Sequence, residues 1–283
     1  MVTLAILNFT PDSFSDGAEQ NLEPQWALER AEALLQVADF LDIGAESTRP
    51  TAETIDSQVE LNRLLPFLEA WPSLRATAKQ SSGTARSDAL DCFVVPPCND
   101  VLSLDSRKPE VIEQVFKEHG NKFAFLNDVT GLQNPDLLKV VAEQIDPSVK
   151  LICMHSKAGV PPIIRAADVP DDFYEQGLLE ELKRFWSQTI ELCSDYGIEQ
   201  ERLIFDPGLG FGKNLQHSLE IIDLIPQIKE EFGLPVLIGA SRKSFLKLWK
   251  NSPQASNEEL DLYTKEYNQL AIAAGADYLR NHS

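Results

Sequence analysis

Eight short apolar runs, each stopping at polar residues, divide this 283-residue chain into a repeating pattern. They are Val2–Leu7, Phe40–Ile43, Val101–Leu104, Phe123–Leu126, Val149–Met154, Leu203–Phe205, Val236–Ile238 and Tyr278–Leu279. Between them lie stretches with helical spacing: Pro24–Ala38, Thr54–Ala70, Pro109–Glu118, Pro135–Gln144, Asp172–Tyr196, Ser218–Phe232 and Glu258–Ala274. Strands alternating with helices build a parallel sheet. Eight repeats predict an α/β fold, a (β/α)8 TIM barrel in one domain over residues 1–283, rather than an open doubly wound sheet.

Two places break the rhythm. Residues Pro72–Asn99 are rich in Ser, Ala, Thr and Pro and read as a flexible insertion on the amino-terminal face of the barrel. The chain also stops at Ser283, just past the eighth run, so seven main outer helices and a bare flank beside strand eight are expected.

With 25 basic and 44 acidic residues the formal charge is −19, which argues against nucleic-acid or acidic-membrane binding. An anionic substrate then needs local positive charge, for which Arg49, Arg242, Lys243 and Arg280 are candidates. No apolar run is long enough to span a bilayer, and Val2–Leu7 is too short for a signal peptide. Cys92, Cys98, Cys153 and Cys193 lack zinc-ligand spacing and suit reduced, mostly buried thiols in a cytoplasmic protein. A Cys92–Cys98 bridge is the alternative.

The residues at the strand ends form a set. They are Asn8 and Thr10–Gly17, Asp42 and Glu46–Pro50, Asp105, Asn127 and Asp128, His155, Asp206, Ser241–Ser244, and finally Arg280 and His282. Charged groups are seldom buried without partners, so acids at so many apolar strand ends imply a shared polar site. Taken singly, Asp12, Asp16 or Ser47 suit a helix cap or turn. Gly208-Leu-Gly-Phe-Gly212 alone suits a flexible turn, and Asn127 alone suits a buried amide bonded to backbone.

The ordered set Asn8–Asp16, Asp42–Pro50, Leu126–Val129, Cys153–His155, Asp206–Lys213, Ser241–Phe245 and Arg280–His282 resembles dihydropteroate synthase. The resemblance covers nearly the whole chain apart from Pro72–Asn99. It implies a transferase of folate biosynthesis, joining 6-hydroxymethyl-7,8-dihydropterin pyrophosphate to p-aminobenzoate with release of pyrophosphate. Asp105, Asn127, Asp206 and Lys243 match the family's pterin pocket. Carboxylates there accept from pterin N–H groups while Asn and Lys donate. Asn8, Thr48, Arg49, Arg280 and His282 match positions around the pyrophosphate, and Asn8 also matches a Mg²⁺ contact. Phe14, Pro50, Phe211 and Ser244 match the aminobenzoate pocket, with Ser244 at the start of the helix after strand seven.

The resemblance further implies a dissociative mechanism in which Mg²⁺, Arg280 and His282 hold the departing pyrophosphate. Asp16 would stabilise the pterin cation before the neutral arylamine attacks, with Lys243 also in the catalytic set. Loops Thr10–Gly17 and Glu46–Ala52 are expected to close over bound substrates. Ala45 departs from the family's usual second glycine. Leu126–Asp128 and Gly275–His282 look like the sulfonamide-resistance branch, whereas Asp206–Lys213 looks like the drug-sensitive form. A homodimer and inhibition by sulfonamides are also expected. A folate-dependent methyltransferase barrel and a non-catalytic pterin-binding barrel are the rivals.

Overall fold

A computed structural model describes residues 1–10, 24–47, 54–71, 101–157, 164 and 166–282. The expected insertion at 72–99 lies outside these residues, as do nearly all of both proposed lid loops.

The eight apolar runs form eight strands, all parallel: β1 Val2–Asn8, β2 Phe40–Gly44, β3 Leu102–Asp105, β4 Phe123–Asp128, β5 Lys150–Met154, β6 Leu203–Asp206, β7 Leu237–Ile238 and β8 Tyr278–Asn281. Seven neighbouring pairs give the order β6-β5-β4-β3-β2-β1-β8-β7. The remaining seam, β6 to β7, is joined by a parallel bridge between Phe205 and Val236, and Phe205 N–H donates to Pro235 O at 2.9 Å. The sheet is therefore a closed barrel, as expected.

Around it lie helices α1 Pro24–Leu35, α2 Ser57–Ala70, α3 Pro109–His119, α4 Pro135–Gln144, α5 Leu178–Asp195, α6 Leu215–Phe232, the short α7 Phe245–Trp249, and α8 Asn257–Ala273. Their starts follow local chemistry. Asp56 caps α2, Asn214 and His217 form a capping box on α6, and Ser256 with Glu259 does the same on α8. Pro109 and Pro135 occupy first-turn positions, where the missing N–H costs nothing. Helix α5 begins later than its apolar spacing suggests, because Gly177 sits at φ 90° and cannot continue a helix backwards. No helix follows β8 among the described residues.

Strand residues alternate between two cores, and this alternation builds the site. Leu41, Ile43, Leu151, Cys153, Leu203 and Phe205 belong to the large layer between sheet and helices. Val2, Leu4, Phe40, Phe125, Ile152, Ile204, Leu237 and Tyr278 form a separate plug inside the barrel. Phe125 meets Phe40 and Tyr278 edge-on at centroid distances of 4.8 and 5.9 Å. Counting in twos toward the carboxyl ends from this plug reaches Asn8, Asp42, Asp105, Asn127, Asp206 and Arg280, so the polar residues stand above an apolar floor.

Candidate active site

Arg280 is the hub of the interior polar layer. Its Nε donates to Asp42 Oδ2 at 2.5 Å, and one terminal nitrogen donates to Asp105 Oδ2 at 2.6 Å. Asn127 Nδ2 donates to the same Asp42 oxygen at 3.1 Å. Asp42 is fully buried, and its other oxygen makes no hydrogen bond among the described residues. Burial, together with Asp42, Glu60 and Asp128, pushes the Asp105 carboxyl up to about 7, against the pull of Arg280. Several carboxylates around one guanidinium make a cleft that favours hydrogen-bond donors.

On the other side of the barrel, Asp206 Oδ1 accepts from Gly208 N–H at 2.7 Å. Burial raises its carboxyl, while Lys243, that amide, Arg280 and Lys213 oppose the shift. A side chain at Gly239 would lie 3.9 Å from both Asp206 Oδ2 and Lys243 Nζ, and 3.8 Å from Arg280 Cβ. These three groups therefore converge on the space beside Gly239. Lys243 Nζ donates to Leu209 O and lies 4.9 Å from the Phe211 ring centroid. Desolvation brings the Lys243 ammonium down to about 8, with Asp206 opposing. Phe211 packs with Val129 and Met154, placing a small apolar wall beside the charged groups.

At the mouth, Asn8 pairs in register with Gly44, and a side chain at Gly44 would come within 3.3 Å of Asn8 Oδ1 and 3.2 Å of Asp105 Cβ. His282 N–H donates to Ser241 Oγ at 3.1 Å, and the ring nitrogen Nδ1 lies 2.9 Å from the same oxygen. Together these contacts fix His282 against Ser241, the ring through Nδ1. Ser244 is exposed at the start of α7 and makes no side-chain cap hydrogen bond.

The structure thus brings Asn127, Asp105, Arg280, Asp206, Lys243 and Phe211 together. Phe14, Asp16, Thr48, Arg49 and Pro50 lie outside the described residues. Three expectations need correction. Asp128 and His155 have the opposite strand parity and leave the interior: Asp128 binds Thr130 and the Leu132 amide, and His155 lies under the glycine-rich loop. Arg242 is not a free cation for the site, because it makes a double ion pair with Asp261 on α8 at 2.7 and 2.8 Å. Asp42, expected only as one of the strand-end acids and given no role, proves to be the carboxylate that holds both Arg280 and Asn127.

Among the described residues, no group of three or more His, Cys, Asp or Glu side chains is placed to hold a metal, and no helix is long and apolar enough to cross a membrane. Cys153 and Cys193 are free and buried.

The family model described as "Pterin binding enzyme" matches residues 4–90 and 97–282. A dihydropteroate synthase of Synechocystis sp. is 34% identical over 281 residues, 99% of this chain and 84% of the relative. A Xanthomonas albilineans dihydropteroate synthase solved with 4-aminobenzoic acid superposes with a TM-score of 0.76 at 30% identity, covering 100% of this chain and 87% of that one. The Yersinia pestis enzyme solved with a sulfonamide drug gives 0.75 at 30% identity, covering 100% and 88%. Family match, relatives and barrel agree: this chain belongs to the pterin-binding enzyme family, in its dihydropteroate synthase group.

Proposed function

We propose that this protein condenses 6-hydroxymethyl-7,8-dihydropterin pyrophosphate with p-aminobenzoate, giving 7,8-dihydropteroate and pyrophosphate in folate biosynthesis. The observation that carries this reading is the interior set Asp105, Asn127, Asp206, Lys243 and Arg280 above the apolar plug. A pterin offers a flat edge of mixed donors and acceptors. Buried carboxylates accept from its N–H groups, while Asn127 and Lys243 donate to its acceptors. Arg280 and His282, with Asn8, Thr48 and Arg49, would hold the pyrophosphate.

The chemistry asked of these residues is positioning and charge stabilisation. As the C–O bond breaks, Arg280 and His282 hold the departing oxygens, and nearby carboxylates, Asp16 among them, stabilise the pterin cation. The arylamine is already neutral near pH 7, so attack needs no strong base. Phe211, Phe14 and Pro50 would flank its ring, and the exposed Ser244 hydroxyl suits its carboxylate. A Mg²⁺ ion that keeps waters and phosphate oxygens needs few protein ligands, and Asn8 Oδ1 fits as one. Bound there, it would neutralise charge on the leaving pyrophosphate.

We also read the enzyme as cytoplasmic, as a sulfonamide target, and as a homodimer. Leu262, Leu270 and Ile272 on α8, exposed at 61%, 45% and 43%, support the last. Resistance or sensitivity is settled by sulfonamide inhibition curves on the pure protein. The central test is a coupled assay for pyrophosphate release with and without p-aminobenzoate. Release that depends on both substrates supports the proposal. Pterin pyrophosphate binding without turnover makes the chain a non-catalytic pterin-binding barrel.

A further inference from the structure

The loop from Asp206 to Lys213 is anchored by a buried lysine for which the proposed reaction has no use. Lys213 is 0% exposed, yet it makes no ion pair with a carboxylate among the described residues. Its three N–H groups face three other acceptors: His155 Nδ1 at 2.9 Å, Phe211 O at 3.3 Å and His155 O at 3.5 Å. A buried ammonium without a carboxylate is costly, and burial brings Lys213 down to about 7 although Asp206 and Glu181 favour the charged form and Lys243 opposes it. A sequence that tolerates this cost places the lysine where its reach matters.

What it reaches is the end of β5. His155 is kept neutral, since burial and Lys213 push its ring down to about 3. Its Nδ1 therefore accepts from Lys213, and Nε2–H faces Glu181 Oε1 at 3.5 Å. Glu181 in turn pairs with Arg184 on α5 at 2.8 Å. The loop lies directly on this strand end: a side chain at Gly208 would come within 2.1 Å of His155 O. From the other side, Tyr174 O–H donates to Gly212 O at 2.8 Å. The Phe211 carbonyl is thus held by Lys213, and the next one along the chain by Tyr174.

We propose that Lys213 is a positioning residue: its ammonium ties the Phe211 carbonyl to the end of β5 at His155, and so sets the Phe211 ring on the aminobenzoate side of the site. The proposal rests on the reading that Phe211 borders the aminobenzoate. Asp105 and Asn127 stand on strands, and Asp206 and Lys243 touch the loop at Gly208 N–H and Leu209 O, not at the Phe211 carbonyl that Lys213 holds. Loss of the clamp therefore weakens use of the second substrate far more than pterin binding.

The test compares wild type with Lys213→Met, which fills the volume without donating, and Lys213→Gln, which keeps N–H donors. Thermal melts establish folding, and amide exchange is read over residues 207–212. Affinity for pterin pyrophosphate and KM for p-aminobenzoate are measured separately. The Met variant is expected to exchange faster in the loop and to raise KM about tenfold or more, with pterin affinity within about twofold of wild type. Partial recovery in the Gln variant supports donation as the cause. Unchanged loop exchange, or equal weakening of both substrates, overturns the proposal. If the Met variant does not fold, the Gln variant and Tyr174→Phe carry the same readouts. A wild-type chain without synthase activity sinks the proposed function and leaves loop exchange, which needs no substrate, to decide the clamp.

Discussion

Arg280 and Asp42 lie 238 residues apart in the chain, yet Arg280 Nε donates to Asp42 Oδ2 at 2.5 Å across the interior of the barrel. The contact ties the last strand to the second and aims the guanidinium at Asp105. Asp42 also holds Asn127, so one buried carboxylate orients two of the residues assigned to substrate.

Asp42→Asn is therefore expected to lower stability by about 1.5–3 kcal/mol, the usual worth of a hydrogen bond to a charged group. Pyrophosphate release should fall with it, because Arg280 is no longer held toward the leaving group. Urea unfolding and the coupled assay check both. A midpoint equal to wild type would show that Asp105 alone suffices to hold Arg280.

Asp206→Asn separates charge from fold. The Asn oxygen can still accept from Gly208 N–H, so the loop should stay in place. The carboxylate facing Lys243 is lost, and pterin affinity is expected to weaken by about 2–5 kcal/mol together with turnover. Calorimetric titration with pterin pyrophosphate measures it. Binding close to wild type would remove Asp206 from the pterin pocket.

Much of this architecture is legible from apolar runs alone, because a strand buried on both faces leaves few other readings. Five of the strands extend one or two polar residues past their runs, to Asn8, Asp105, Asp128, Asp206 and Asn281, since the ladder continues where hydrophobicity stops. The site was harder to read. Asp42 stands out as a strand-end acid, but its role as the partner of Arg280 and Asn127 depends on strands far away in the chain. His155 looked like a site residue because it follows a strand, but it has the outward parity of Cys153. Arg242 looked available until its φ of 55° turned it toward Asp261. These are long-range facts that spacing along one strand does not contain.

Acid should weaken the fold through His155. In the unfolded chain its ring takes a proton near 6.5, whereas the folded ring resists until about 3. Between those values the unfolded state binds more protons, so stability present above pH 6.5 is lost as pH falls. Glu181, held down to about 2 chiefly by its hydrogen bond to His155, acts in the same direction below 4.5. Lowering pH from 6.5 to 5 is expected to cost about 2 kcal/mol through His155 alone. In His155→Asn that slope should flatten, whatever the variant's absolute stability. Denaturant midpoints across the range test this, and an unchanged slope would place the acid sensitivity elsewhere.

Gly208 gives the sharpest steric prediction. Its φ is +70°, a region that side chains avoid, and a Cβ there would lie 2.1 Å from His155 O. Neither can relax cheaply, since the offending atom is backbone at the end of β5 and the same segment carries the Gly208 N–H to Asp206. The left-handed conformation alone costs a non-glycine residue about 1–3 kcal/mol, and the clash adds to it. Gly233→Ala is the internal control: its φ is +66° at the end of α6, but nothing lies within 4 Å of the added carbon. Gly208→Ala should therefore lose clearly more stability than Gly233→Ala. It should also lose turnover, because lifting the loop moves Phe211 and the Leu209 carbonyl that anchors Lys243. Thermal melts and activity on the two variants decide it, and equal losses would mean that the loop does not rest on β5 as described.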